Sequence, residues 1–209
     1  MKQRLFICMI KILSIAVFLL LGGCIENNNS ISWHEHAIWY QIFPDRFYNG
    51  DKSNDPTIET LTGTWPYDVQ DTWEVMPWTE QWYKFQPWEK KNGKDFYYNA
   101  QLRRYGGDLQ GVIDKLDYLQ DLGVNAIYIN PIFESPSAHK YGAKYYHHVD
   151  NNFGPDPDGD VKIWEKEDPS NPKTWQWTSA DLLFLKLIQE VHQRNMYIII
   201  DGVFNHVGI

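Results

Sequence analysis

The chain has 209 residues, of which 43% are hydrophobic and 16% aromatic, so it can bury a core, and its length suits one domain. Acidic residues outnumber basic ones by 27 to 19, which gives a formal charge of −8 at pH 7. This negative balance argues against nucleic acid as a partner, because phosphate backbones are bound by basic surfaces.

The N-terminus has the pattern of an export signal. Lys2 and Arg4 form a positive start, residues 12–21 are an uncharged apolar run, and two glycines precede Cys24. The sequence Leu-Gly-Gly-Cys at 21–24 resembles the bacterial lipobox, where a signal peptidase cuts before a cysteine that carries a diacylglyceryl group. An uncleaved anchor helix is the alternative, since the apolar stretch approaches bilayer-spanning length.

We therefore predict a lipoprotein signal peptide over residues 1–23, lipidation of Cys24 and a polar tether over residues 24–32. Cleavage would remove Cys8 with the signal and leave no possible internal disulfide. The mature chain would hold 16 basic and 27 acidic residues, a formal charge of −11. The predicted location is the bacterial cell envelope, where the exported protein is anchored to the membrane through the lipid on Cys24.

The folded part is predicted to alternate strands and helices. Residues 37–43 form an apolar strand closed by proline, and residues 109–122 carry a helical apolar stripe that ends at Gly123, a typical C-terminal cap. Residues 125–130 then form a second strand. Ser179 is the predicted N-cap of the next helix, and residues 196–200 form a third, fully apolar strand.

This order predicts an α/β fold with a parallel sheet covered by helices. Both a barrel and a doubly wound sheet agree with the pattern. No glycine-rich phosphate loop follows the first strand, which disfavours the nucleotide-binding version.

Two polar segments, residues 44–107 and 131–179, are too long for ordinary connections and are predicted to be functional insertions. The second contains Asp-Pro-Asp-Gly-Asp at 156–160, a predicted turn. The first contains five tryptophans, which we expect mostly to pack in cores and loops, with sugar stacking as the alternative. They are Trp65, Trp73, Trp78, Trp82 and Trp88.

The end of the third strand carries polar side chains. If the strand continues, Asp201 and Asn205 point to one side, which in a barrel is the C-terminal mouth where active sites lie. The simpler alternative is that these two side chains satisfy each other and that His206 is an ordinary loop residue.

Asn49, Asp51, Asn54 and Asp55 concentrate short oxygen-bearing side chains on one loop, which suits a hard cation such as calcium. The alternative is a polar turn, because Asn and Asp favour turns. Two histidine pairs, at 34/36 and 147/148, lack a further zinc ligand set, and we predict that they are solvated.

Five segments, taken together and in order, resemble the α-amylase family, glycoside hydrolase family thirteen. They are WYQIFPDRF at 39–47, GGDL at 106–109, GVNAIYINP at 123–131, HKY at 139–141 and DGVFNH at 201–206. GPDP at 154–157 and WQWT at 175–178 further resemble members intermediate between oligo-glucosidases and neopullulanase-like enzymes.

The resemblance implies that residues 33–209 are the N-terminal part of a (β/α)8 TIM barrel, with three strands, two helices and long insertions after strands one and two. It implies retaining hydrolysis of α-glucosidic bonds in starch, maltodextrin or related α-glucans. Tyr141 would stack beneath the sugar at the cleavage site, His206 would hydrogen-bond that sugar, and Asp201 would be structural at the barrel mouth.

The resemblance also implies that Gly106 and Asp108 complete the calcium shell of the loop at 49–55. Asn205 would be a ligand of a different calcium. Gly142 stands where relatives commonly have Asp, so the seat of the preceding tyrosine could differ.

In this family the nucleophile and the acid follow strands four and five, beyond Ile209, so we expect this polypeptide alone to be poorly folded and inactive. The alternatives are a surface lipoprotein that only binds maltodextrin and an inactive truncated product. An amylase-like transporter subunit would need a true membrane-spanning helix.

Overall fold

The computed structural model describes residues 32–79 and 81–208. The predicted signal peptide, Cys24 and all but the last residue of the predicted tether lie outside the described residues. The chain divides into two units, residues 1–36 and 37–209. In the first, a 3-10 turn spans Trp33–His36, and His34 and His36 are exposed, as predicted.

The second unit is built on a parallel sheet of three strands, in the order β1 (Trp39–Ile42), β2 (Ala126–Ile129) and β3 (Tyr197–Ile200). Trp39 pairs with Ala126, and Ala126 pairs with Tyr197. This confirms the three predicted strands and their parallel arrangement; β3 ends at Ile200 as predicted, and the other strand ends are one or two residues shorter than predicted.

Six α-helices accompany the sheet in the described part of this unit. They are α1 (Pro87–Lys91), α2 (Phe96–Ala100), α3 (Leu109–Asp114), α4 (Leu116–Asp121), α5 (Pro157–Trp164) and α6 (Ser179–Gln193). Short 3-10 turns span Pro44–Arg46, Lys52–Asn54, Glu59–Leu61 and Asn151–Phe153.

The prediction of a single helix over residues 109–122 is wrong in one respect, because Lys115 separates α3 from α4. Its backbone leaves the helical region, with φ −104° and ψ 3°, and its N–H bonds to the carbonyl of Val112 at 3.2 Å, a 3-10 contact. The predicted end is confirmed, since Gly123 has φ +86°.

Two predictions at the second insertion are also wrong. Thr178, not Ser179, caps α6, because it forms a reciprocal capping box with Asp181. The predicted turn at 156–160 instead begins α5. Asp156 accepts from the N–H of Gly159 at 3.0 Å, and Pro157 occupies the first helical position, where its missing N–H costs nothing.

The main core lies between the sheet and helices α3, α4 and α6. Its fully buried members include Ile42, Leu109, Leu116, Ile127 and Leu187. β3 is covered less well, since Ile199 is 38% and Ile200 is 37% exposed. The described residues therefore leave apolar surface of β3 uncovered.

The first insertion has its own core around Trp73 and Trp88, which are buried as predicted. Trp65 and Trp78 differ from that prediction, since about half of each residue is exposed. Among the helices in residues 32–79 and 81–208, none is both long and apolar enough to cross a membrane.

Candidate functional site

Tyr141, Asp201 and His206 meet beyond the carboxyl end of β3. The Tyr141 hydroxyl donates to Asp201 Oδ2 at 2.6 Å, and His206 Nε2 lies 3.0 Å from the Tyr141 carbonyl oxygen. The hydrogen bond to Asp201 raises the pKa of Tyr141 to about 12. The Tyr141 phenol therefore stays protonated. Asp201 fixes the hydroxyl of Tyr141 and His206 fixes its backbone carbonyl, although the next residue is Gly142.

The route by which these side chains meet differs from the prediction. The chain leaves the strand at Ile200, so Asp201 and Asn205 share no strand face. Asp201 holds Tyr141 and not Asn205. Asn205 is exposed, and its Oδ1 lies 3.1 Å from Nδ1 of His206. This contact is separate from the hydrogen bonds of the predicted calcium loop at 49–55.

Tyr146 fixes the segment that carries His206. Its hydroxyl contacts the carbonyl oxygens of Val203 and, at 2.9 Å, of His206. These contacts join residues 57 and 60 positions apart, and Tyr146 itself lies in none of the motifs recognised in the sequence. Sequence reasoning missed this support for that reason.

The loop before Tyr141 is held by a buried charge pair. Lys140 Nζ donates to Asp150 Oδ2 at 2.6 Å and to the carbonyl of Ser135 at 2.7 Å. Glu134 lies beside this pair, and burial, assisted by the charge of Asp150, raises its pKa to about 8. Asp150 is the carboxylate that pairs directly with Lys140.

The predicted calcium residues lie together at the base of the first insertion. Asn49 Nδ2 lies 2.6 Å from Asp55 Oδ1, and the backbone of Gly106 approaches both so closely that a Cβ there would be 2.2 Å from Asp55 Oδ1. Gly106 also has φ +71°, which favours glycine. Burial raises the pKa of Asp55, and the charges of Asp108 and Asp51 raise it further.

Asp108 joins the two ends of this insertion. Its carboxylate accepts from the N–H groups of Gly50, Asp51 and Gly111, and from Asn54 Nδ2 at 3.2 Å. It thereby caps α3 as well as holding the loop. Burial raises the pKa of Asp108.

Two oxygens in this cluster fit a hard cation. Oδ1 of Asn49 and Oδ1 of Asn54 are buried and have no hydrogen-bond donor. A buried amide oxygen without a partner costs free energy, and a calcium ion takes such oxygens as ligands. The residues that share the loop therefore fit the predicted cation site better than a plain polar turn.

The second histidine pair is not solvated as predicted. His148 is only 4% exposed, and its ring nitrogens lie 2.7 Å from Asp181 Oδ2 and 2.6 Å from Glu167 Oε2. Burial lowers the pKa of His148, but the two carboxylates outweigh it and the pKa is raised. His147 stacks on Trp175 with ring centroids 4.6 Å apart. His147 and His148 thus connect the second insertion to the start of α6.

Comparison with known proteins gives matches over most of the chain. Residues 41–164 match the family model described as "Alpha amylase, catalytic domain". An amylopullulanase of Thermoanaerobacterium saccharolyticum is 38% identical over 88% of this chain and 12% of its own length. Neopullulanase 2 of Thermoactinomyces vulgaris is 38% identical over 84% of this chain and 20% of its own length.

A solved structure is similar in fold to this chain. The cyclic α-maltosyl-(1→6)-maltose hydrolase of Arthrobacter globiformis, in complex with that sugar, is 30% identical with a TM-score of 0.53. The match covers 85% of this chain and 27% of the hydrolase. The chain thus spans about a tenth to a fifth of the length of these two curated relatives.

Proposed function

This chain belongs to the α-amylase catalytic-domain family, and we propose that its gene product hydrolyses α-glucosidic bonds in α-glucans related to starch and pullulan. The observation that carries the proposal is the arrangement of Tyr141, Asp201 and His206. The names of these relatives support the substrate class, because each refers to an α-glucan or a cyclic maltosyl sugar.

We further propose that β1, β2 and β3 are the first three strands of a (β/α)8 barrel. The parallel order supports this, as does the exposed apolar surface of Ile199 and Ile200, which a further parallel strand beside β3 would cover. The two insertions follow β1 and β2, at the end of the sheet where barrel enzymes place their sites.

In this proposal the described residues bind and orient the sugar. A pyranose ring presents C–H groups on one face, and the aromatic ring of Tyr141 buries that face. Asp201 meanwhile holds the hydroxyl of Tyr141. His206 hydrogen-bonds a sugar hydroxyl through Nδ1, because its Nε2–H donates to the Tyr141 carbonyl. Its exposed imidazole is near solvent, where a polysaccharide chain can reach it.

Retaining hydrolysis needs a carboxylate nucleophile and a carboxylic acid about 5–5.5 Å apart. We assign both to sequence outside residues 32–208. The described residues would then supply contacts to the sugar and not the groups that cleave the bond.

The proposal is tested with the full-length gene product and maltoheptaose. Proton NMR should show the α-anomer as the first product, because two inversions at the same carbon retain the configuration. The β-anomer as first product would contradict the retaining mechanism, and a complete lack of hydrolysis of maltoheptaose and pullulan would contradict the function.

We also propose that Asn49, Asp51, Asn54, Asp55, Gly106 and Asp108 hold a calcium ion. The unpartnered oxygens of Asn49 and Asn54 support it, and the ion would neutralise carboxylates whose pKa values are raised without it. Calcium would act structurally, as a clip between the two ends of the first insertion. The predicted second calcium at Asn205 gains no support from the described contacts of that side chain.

Calcium at about 100 times its Kd is expected to stabilise the protein by about 2.7 kcal/mol, which raises Tm by about 5–10 °C over the value in EDTA. Differential scanning calorimetry checks this. Asp55→Asn should abolish the increment without lowering Tm in EDTA, since it removes a carboxylate repelled by its neighbours.

Asp121→Asn, which changes an exposed residue at the end of α4, is the matched control and should keep the full increment. Equal calcium increments in the Asp55 and Asp121 variants would contradict the site.

Export and lipidation of Cys24 remain part of the proposal. They are supported by the order of charged, apolar and small residues before Cys24. The lipid would hold the enzyme at the cell envelope, where polymeric glucans are accessible.

A further inference from the structure

Two histidines and two carboxylates form a cluster that neither the proposed sugar contacts nor the proposed calcium loop uses. Its members are His147, His148, Glu167 and Asp181. One nitrogen of each histidine and one oxygen of Glu167 lie within 4.8 Å of one another. Glu167 stands 19 positions after His148, so no short sequence motif indicates that the three residues meet.

The spacing of the three ligand atoms fits a small metal ion. Nε2 of His148 and Nε2 of His147 lie 2.6 and 3.7 Å from Glu167 Oε2. Ligand atoms around a tetrahedral zinc ion are about 3.3–3.6 Å apart, because each lies about 2.0–2.2 Å from the ion. The two measured distances fall on either side of this value, so small side-chain shifts would bring both pairs to it.

The polar atoms that point away from this centre already have partners. His148 Nδ1 lies 2.7 Å from Asp181 Oδ2, and the other Asp181 oxygen accepts from the N–H of Val149 at 2.8 Å. Zinc-bound histidines usually have such a carboxylate on their second ring nitrogen, which keeps the proton there and leaves Nε2 for the metal. Glu167 Oε1 accepts from the N–H of Gln176 at 2.5 Å, so Oε2 is the oxygen that faces the histidines.

Packing holds the two imidazole rings in place. The His147 ring stacks on Trp175, and the His148 ring lies parallel to Trp164 with centroids 6.1 Å apart. The side chains of His148 and Glu167 are 3% and 1% exposed, whereas that of His147 is 13% exposed. An ion would therefore enter on the His147 side, where water can supply a fourth ligand.

The charges of the cluster also fit a divalent ion. Glu167 and Asp181 together carry two negative charges, and a protonated His148 balances only one of them. With both histidines neutral, a divalent cation balances both carboxylates. Burial of an unbalanced charge is costly, so the ion would stabilise this arrangement.

We propose that His147, His148 and Glu167 bind a zinc ion and that Asp181 orients His148. Two imidazole nitrogens and one carboxylate suit zinc, whereas calcium takes six to eight oxygen ligands. The ion would fasten the second insertion to the start of α6. This inference does not depend on the proposed function, because a zinc ion could bind here whether or not the protein hydrolyses glucans.

The test is isothermal titration of the full-length gene product with zinc chloride, after treatment with EDTA and return to a buffer with saturating calcium. Calcium fills the proposed oxygen site, so zinc reports on the histidine cluster. His147→Gln and Glu167→Gln should each lose one equivalent of tightly bound zinc. Loss of a ligand should weaken binding at least about 100-fold, because loss of an outer-shell partner alone costs about 10–100-fold.

His34→Gln is the matched control, since His34 belongs to the other histidine pair and is exposed. It should keep the full zinc stoichiometry and affinity. Cobalt(II) provides a second measurement on the unmutated protein, which does not depend on whether a variant folds. Its visible absorption should show four-coordinate cobalt with nitrogen ligands, and zinc should remove this absorption.

Unchanged zinc binding in both His147→Gln and Glu167→Gln would overturn the proposal. So would a wild-type protein that takes up no zinc and gives only the spectrum of hydrated cobalt. Either result would leave His148 as a protonated imidazole between two carboxylates.

Discussion

Replacing His206 with alanine is expected to lower kcat/KM for maltoheptaose about 100-fold in the full-length gene product. Loss of one positioned hydrogen-bonding group at a reacting centre costs about 10²–10³ in rate. His206 is exposed and bonded to the Tyr141 carbonyl and not to the core, so the variant should fold normally. Initial rates of reducing-sugar release check the prediction.

His192→Ala provides the control, because His192 is an exposed residue on α6, outside the described site. It should retain wild-type rates. A His206 variant that also kept wild-type rates would remove His206 from the proposed sugar contact and leave its place at the barrel mouth without a function.

Arg103→Met is expected to destabilise the protein by about 3–5 kcal/mol, because it leaves Glu89 buried without its counter-charge. Arg103 is fully buried, and its Nε and Nη2 donate to the two Glu89 oxygens at 2.6 and 2.8 Å. Its guanidinium also lies 4.9 Å from the centroid of Phe96 and donates to the carbonyl of Trp82. Equilibrium unfolding in urea measures the loss.

Two comparisons separate the charge from the packing. Adding Glu89→Gln to the Arg103 variant should recover part of the lost stability, since the orphaned charge is gone. Arg194→Met breaks a partly exposed pair with Asp117 and should cost no more than about 1 kcal/mol. Equal losses at Arg103 and Arg194 would contradict the account.

The features that the sequence predicts correctly depend on short-range patterns. The three strands are near-continuous apolar runs, and the glycine after α4 ends a helical stripe with a positive φ. The polar loop at 49–55 was recognisable because four of its residues lie within seven positions, and that it holds a cation stays a prediction. Gly106 and Asp108, which the resemblance joined to this loop, do contact it from the other end of the insertion.

The features that the sequence does not predict depend on contacts between distant residues. Nothing local indicates that Asp201 bonds to Tyr141, 60 positions earlier, or that Asp181 and Glu167 enclose His148. The helix at 157–164 was missed for a different reason. Its opening residues favour turns and helix starts equally, and only the packing of α5 beside α6 distinguishes the two.

The central claim is that this segment forms the sugar-binding mouth of an α-glucan hydrolase. A crystal structure of the full-length gene product soaked with thio-linked maltopentaose tests it most directly. The claim predicts one glucose ring against Tyr141, with a hydroxyl within hydrogen-bonding distance of His206. Electron density for the sugar elsewhere, with this mouth filled only by water, would contradict it.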